Sequence, residues 1–193
     1  LSFNLDMQYD DYVSFPEISP LIGSPNTSFS VYIDFKEEYS DNDVGVLLNS
    51  SSDIFNTICP RVEVLSNKVG YYHRTQPQDQ YNYESRGELE ITSDSWNNLV
   101  YVVNAEEETL KMYLNGTLDT YSNQDYDAQM NYYSEDRVWE MGMISNAAPY
   151  HAYHGLIDNF IIFKGSLNQN EIDSLIHNYE DFEYERFSHY KFN

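Results

Sequence analysis

The chain has 193 residues, 41% hydrophobic and 16% aromatic, and its 10 Lys+Arg against 32 Asp+Glu give a net charge of −22 and a pI of ≈ 4.2. An acidic surface of this kind repels phosphate, which excludes nucleic-acid backbones and anionic lipid as partners. The aromatic content separates the chain from disordered acidic segments, the length is that of one domain (1–193), and no apolar run approaches the ~20 residues that cross a bilayer.

Cys59 stands alone, so no intrachain disulfide and no cysteine-based zinc site can form. The lack of disulfides favours a bacterial, archaeal or viral source. The first residue is Leu1, with no basic or apolar leader, as expected of a processed product or an excised domain. Three N-x-S/T sequons, at Asn26, Asn49 and Asn115, are read as coincidence in an Asn-rich chain.

Taken in order, the chain reads as short strands with turn punctuation. Residues 30–35 alternate, putting Val31, Ile33 and Phe35 on one face. Residues 44–48 form an apolar run between polar clusters. Residues 73–98 are polar and Tyr-rich without periodicity, and read as a long loop. Residues 99–103 are apolar on both faces, which suits a central strand covered on each side. A polar connection at 104–108 leads to a second alternating strand at 109–114, closed by the Asn115-Gly116 turn.

After a second polar stretch at 119–136, residues 138–144 and 156–163 complete the strand set. Asn168 and Glu171 then spell a capping box, with Ile172, Leu175, Ile176 and Tyr179 at helical spacing, so a helix is expected over about 168–180. The aromatic and acidic tail, 181–193, either packs back on the sheet or meets a neighbour. Many short strands and no βαβ alternation predict an all-β antiparallel sandwich.

Four segments, in order, resemble the laminin-G-like (concanavalin A-like lectin/glucanase) jelly-roll family. They are Asp10-Asp11-Tyr12-Val13-Ser14-Phe15-Pro16; Ser28-Phe29-Ser30-Val31-Tyr32-Ile33, where Asp34 replaces the usual Trp; Trp96-Asn97-Asn98-Leu99 with Leu114-Asn115-Gly116; and Gly155-Leu156-Ile157-Asp158, running on to Phe163, Leu167 and Glu171-Ile172. The resemblance covers nearly the whole chain and implies a jelly-roll β-sandwich. It does not name a function, because lectins, glycosidases, adhesins and spacers share this architecture.

Strand alternation places Asp158 with Phe160 and Ile162, hence facing the core, where a carboxylate must be coordinated or hydrogen-bonded. The resemblance implies a structural calcium ion held by Asp158 with backbone carbonyls of the first strand and a neighbouring loop, and Asp10 and Asp43 are candidate supporting ligands; the alternative is an Asp that accepts backbone N–H bonds. Calcium accepts such oxygen-rich ligand sets.

A retaining glycosidase needs two carboxylates ~5–5.5 Å apart. The nearest stretch, Glu88 to Asp94, departs from the E-x-D-x-x-E pattern that the resemblance implies, and Glu135 and Glu140 lack a middle Asp, so these acids are read as exposed charge. No other enzyme signature occurs, and a non-catalytic chain is expected.

Sugars are held by aromatic rings with amide, carboxylate and imidazole partners. Two segments offer that mixture: Tyr72, His73 and Arg74, and Tyr150, His151, Tyr153 and His154. Trp139 is a further candidate, although Met141 and Met143 on its face also suit core packing. His151 and His154 lack a third ligand for a transition metal. The expected function is carbohydrate recognition or adhesion at an extracellular or virion surface, with a cell-surface glycan as partner. The alternative is an assembly module whose partners are neighbouring protein subunits, engaged through the tail from Phe182.

Overall fold

A computed structural model describes residues 3–5, 13–15, 27–38, 44–51, 61–74, 82–107, 109–122, 138–142, 153–179 and 181–190. Among the described residues, thirteen strands and one helix follow one another: β1 (Phe3–Leu5), β2 (Val13–Phe15), β3 (Phe29–Glu37), β4 (Gly45–Ser51), β5 (Arg61–Leu65), β6 (Lys68–Arg74), β7 (Asn82–Glu90), β8 (Asn97–Asn104), β9 (Thr109–Leu114), β10 (Thr117–Ser122), β11 (Val138–Met141), β12 (Gly155–Lys164), α1 (Gln169–His177) and β13 (Arg186–Tyr190).

They form two antiparallel sheets, one in the order β1-β12-β3-β8-β9-β10 with β13 also on β12, the other in the order β2-β11-β4-β5-β6-β7. The expected jelly-roll sandwich is what the chain adopts. Alternation explains the core between the sheets. Val31, Ile33 and Phe35 of β3 and Leu99, Tyr101 and Val103 of β8 meet Leu48, Val62, Val64 and Trp139 of the facing sheet.

The intervening residues of the seven-stranded sheet build a second apolar layer. Tyr32, Val100, Val102, Ile161 and Phe163 pack under Leu167 and under Ile172 and Leu175 of α1. Strand β8 is therefore covered on both faces, as its unbroken apolar run requires. The helix starts at Asn168, whose side chain accepts from the backbone N–H groups of Asn170 and Glu171, while the Glu171 carboxylate accepts from Asn168 N–H.

The tail continues this layer. Phe182 and Tyr184 stack on each other and meet Phe163 edge-on, at ring separations of 5.7 and 5.9 Å. The Arg186 guanidinium donates to the carbonyls of Tyr179 and Phe182, and β13 pairs with β12. Residues 182–186 of the tail thus close the domain's own outer layer.

Two expectations are corrected. Residues 73–98 are not one loop: β7 runs through them as the edge strand of its sheet, and its polar sequence reflects an edge position paired only to β6. Asp158 does not face the core. A bulge at Asn159 (φ +29) inserts an extra residue between Asp158, opposite Asp34, and Phe160, opposite Ile33. The phase of alternation resets there, so Ile157 and Phe160 join the core while Asp158 shares the helix-side face with Asp34.

Candidate functional site

The outer face of the six-stranded sheet carries a polar row. On β5, Val62 and Val64 lie in the core, so Arg61 and Glu63 stand on the opposite face. The same logic places Glu140 outward on β11, between the buried Trp139 and Met141. Cross-strand register then joins six residues in one line across all six strands: Ser14, Glu140, Asn49, Arg61, Tyr72 and Glu84. Five of the six can hydrogen-bond or carry charge without an aromatic ring, and Tyr72 supplies the ring.

Burial gives the row its stiffness. Arg61 Nε lies 2.7 Å from Glu63 Oε2, the Arg61 side chain retaining 14% exposure against 1% for Glu63. The buried carboxylate thus fixes the orientation of the planar guanidinium, whose Nε is itself buried. Alongside it, Asn49 Nδ2 donates to Glu140 Oε2 at 3.5 Å, and Asn49 Oδ1 is buried without a hydrogen-bond partner. Strands β5 to β7 hold Arg61, Lys68, Arg74 and Arg86 against Glu63, Glu84, Glu88 and Glu90, a local balance of zero within a chain of net charge −22. An anionic group approaching this sheet escapes much of the repulsion it meets elsewhere.

The residues singled out from the sequence are distributed unevenly. Tyr72, His73 and Arg74 lie consecutively on β6, register-paired with Glu84, Tyr83 and Asn82 of β7. Trp139 is 1% exposed, packed edge-on to Phe29, so its ring offers no face to a ligand. Tyr153 is likewise in the core, T-shaped against Phe35, and burial with the nearby Glu37 and Glu38 carboxylates pushes its hydroxyl well above the usual phenol range. His154 is half-buried, and its carbonyl accepts from Glu38 N–H at 3.2 Å. The 153–154 pair leads into β12 of the other sheet and is not brought together with the β6 triplet. Tyr150 and His151 lie outside the described residues, as do Asp10 and Asp43.

Sequence reasoning missed Arg61, Glu63 and Asn49, and read Glu140 as exposed, whereas it is 3% exposed. The signal was present in Arg61-Val62-Glu63-Val64, a period-2 strand with two charges on one face. Glu88 and Glu90 are exposed, as expected, and Glu135 lies outside the described residues.

Asp34 and Asp158 meet hydrogen-bond donors of the protein itself, while the other two residues expected at a calcium ion, Asp10 and Asp43, lie outside the described residues. Asp34, the cross-strand neighbour of Asp158, spends its oxygens on neutral donors: the Tyr32 hydroxyl at 2.7 Å and the Asn98 amide on Oδ1, and the Asn159 amide at 2.8 Å on Oδ2. Asp158 Oδ1 accepts from Asn159 N–H at 2.8 Å. Among the described residues no three metal-ligating His, Cys, Asp or Glu side chains converge. Burial raises the Asp34 carboxyl above the usual carboxylate range, with the charge of Asp158 adding and the three hydrogen bonds opposing.

Residues 7–173 match the concanavalin A-like lectin/glucanases superfamily. No curated protein sequence matches the chain. Among solved structures, a K499G mutant of NanB sialidase from Streptococcus pneumoniae is 21% identical with a TM-score of 0.70, over 90% of this chain and 27% of that one. The chain thus spans about a quarter of that protein's length. The Ruminococcus gnavus IT-sialidase CBM40 bound to alpha2,3 sialyllactose is 16% identical with a TM-score of 0.65, over 78% of this chain and 82% of that one. A native heptameric SAP-like pentraxin from Limulus polyphemus is 12% identical with a TM-score of 0.61, over 86% of this chain and 80% of that one. At these identities the likeness is one of fold.

Proposed function

The chain belongs to the concanavalin A-like lectin/glucanases superfamily, and from that membership we propose that it is a non-catalytic carbohydrate-recognition module that binds its ligand over the outer face of the six-stranded sheet. The carrying observation is the Arg61 guanidinium, fixed by buried Glu63 in one row with Tyr72 and Glu84. Within that row the guanidinium engages a carboxylate, the ring takes the apolar face of a sugar, and the acid accepts from hydroxyls. The ligand class is a glycan bearing a carboxylated sugar. The Ruminococcus gnavus domain of the same fold, bound to alpha2,3 sialyllactose, supports this reading. So does the local charge balance of β5 to β7 in an otherwise acidic chain.

The module acts outside the cell or on a virion surface, where such glycans are displayed. None of the described helices is long and apolar enough to cross a membrane. Packing of Phe182 and Tyr184 on Phe163 within the domain favours the recognition reading over the assembly one.

A glycan array in millimolar calcium and again in chelator tests the proposal, with sialyllactose and lactose as the decisive pair. Saturable binding to sialyllactose but not lactose, lost in Arg61→Ala and Arg74→Ala, is expected. Arg74→Ala guards against misfolding, since truncating Arg61 leaves a carboxylate buried without its 2.7 Å partner. A blank array from folded protein would sink the proposal.

A further inference from the structure

Among the described residues, only two large apolar side chains are exposed: Leu118 and Trp96, the latter at 46%. Trp96 ends the β7–β8 connection, whose residues 92–96 are all exposed although the flanking Ile91 and Asn97 are buried. An indole exposed at a fixed place offers its ring face for stacking.

The loop is held rigid from below. Asn97 is fully buried and uses all four of its amide's hydrogen-bonding positions. Its Oδ1 accepts from Thr92 N–H at 2.9 Å and from the Asn115 amide at 3.0 Å, and its Nδ2 donates to the carbonyls of Thr92 at 3.0 Å and Ser95 at 2.9 Å. Ser95 N–H closes onto Thr92 O at 3.3 Å, with Asp94 left-handed at φ +57. Asn115 ties the same point to the β9–β10 turn by accepting from Asn98 N–H at 2.8 Å. The backbone that carries Trp96 therefore has little freedom left to lose on binding.

The flank sets the ligand class. Thr92, Ser93, Asp94 and Ser95 bring hydroxyls and one carboxylate, and residues 91–98 contain no Lys, Arg or His. A carboxylate accepts from sugar hydroxyls and repels anions, whereas a cation is what an acidic sugar would need.

We infer that the 92–96 loop is a second sugar-contact site, for neutral pyranosides stacked on Trp96 and hydrogen-bonded by Asp94. It is separate from the sheet face and does not rest on the proposal made for that face.

The chain has two tryptophans, and Trp139 is 1% exposed, so quenching of intrinsic fluorescence by acrylamide reports Trp96. The probes are the methyl glycosides of galactose, glucose, mannose and N-acetylglucosamine, each raised to tens of millimolar. At least one is expected to halve the quenching of the accessible tryptophan, saturably. Saturation-transfer NMR with that sugar should give a signal that Trp96→Ala abolishes, Trp96→Phe retains and Asp94→Ala weakens several-fold. Arg74→Ala should leave these signals intact, even where it abolishes sialyllactose binding. Three outcomes overturn the inference: no probe protects Trp96, Trp96→Ala keeps the sugar signal, or protection appears with protein concentration alone.

Discussion

Gly87 and Asp119 make a clasp between the edges of the two sheets that can be broken in a diagnostic way. Strand β7 bulges where its pairing with β6 passes from Arg86 to Glu90, and Asp119 of β10 reaches across to the N–H groups freed there. Its Oδ1 accepts from Glu88 N–H at 2.8 Å and Leu89 N–H at 2.7 Å. A Cβ at Gly87 would lie 1.9 Å from Asp119 Oδ2 and 2.7 Å from its Cγ, so Gly87→Ala must eject the carboxylate. Hydrogen bonds to a charged group contribute about 1.5–3 kcal/mol each, discounted here because water replaces the exposed one, so the loss is about 2–4 kcal/mol. In a chain of this length that is a fall in Tm of roughly 5–15 °C. Asp119→Ala should cost a similar amount. In the Asp119→Ala background, however, Gly87→Ala has nothing left to strike and should cost under about 0.5 kcal/mol. Urea denaturation of the wild type, both single variants and the double variant measures the cycle. Simple addition of the two single losses would refute the clasp as the origin of either.

Three further outcomes follow from the helix-side layer. Because burial raises the Asp34 carboxyl, its charged form opposes folding: the associated stability is full at low pH and is lost as pH rises through the folded value. The Tm of Asp34→Asn relative to wild type should therefore be highest near neutrality and shrink on acidification; a pH-independent difference would count against the assignment. Phe182→Ala removes a ring packed on Phe163 and Tyr184 and should cost about 3 kcal/mol without changing the oligomeric state, as read by denaturation and light scattering. Since Asp34 and Asp158 both accept hydrogen bonds from within the protein, melting in millimolar calcium and in chelator should coincide. A calcium-dependent rise of several degrees would restore the ion.

Where a single local rule governs, the sequence was readable. The two-sided apolar run of β8, the Asn168 capping box and the Asn115-Gly116 turn, at φ +50 and +80, each depend on a few adjacent residues. Asp158 was misplaced because one extra residue at Asn159 inverts the alternation beyond it, and nothing in Ile-Asp-Asn-Phe announces a bulge. Strand β7 was invisible because an edge strand needs no apolar face of its own. The candidate site was half legible: its aromatic and basic members on β6 stood out in composition. Arg61, Asn49 and Glu140 become one row, with Glu63 beside it, only through pairings among β4, β5 and β11, strands separated by as many as 91 positions between Asn49 and Glu140.

Strands β1 and β13 lie end to end along one edge of β12, with Phe3 opposite Ile157 and Tyr190 opposite Phe160. At about 3.4 Å per residue, the points where the polypeptide enters and leaves the described fold are about 10 Å apart. The first and last described strands thus seal one edge of β12 jointly, on the side opposite the β7–β10 clasp, so loss of either would bare backbone groups along that edge.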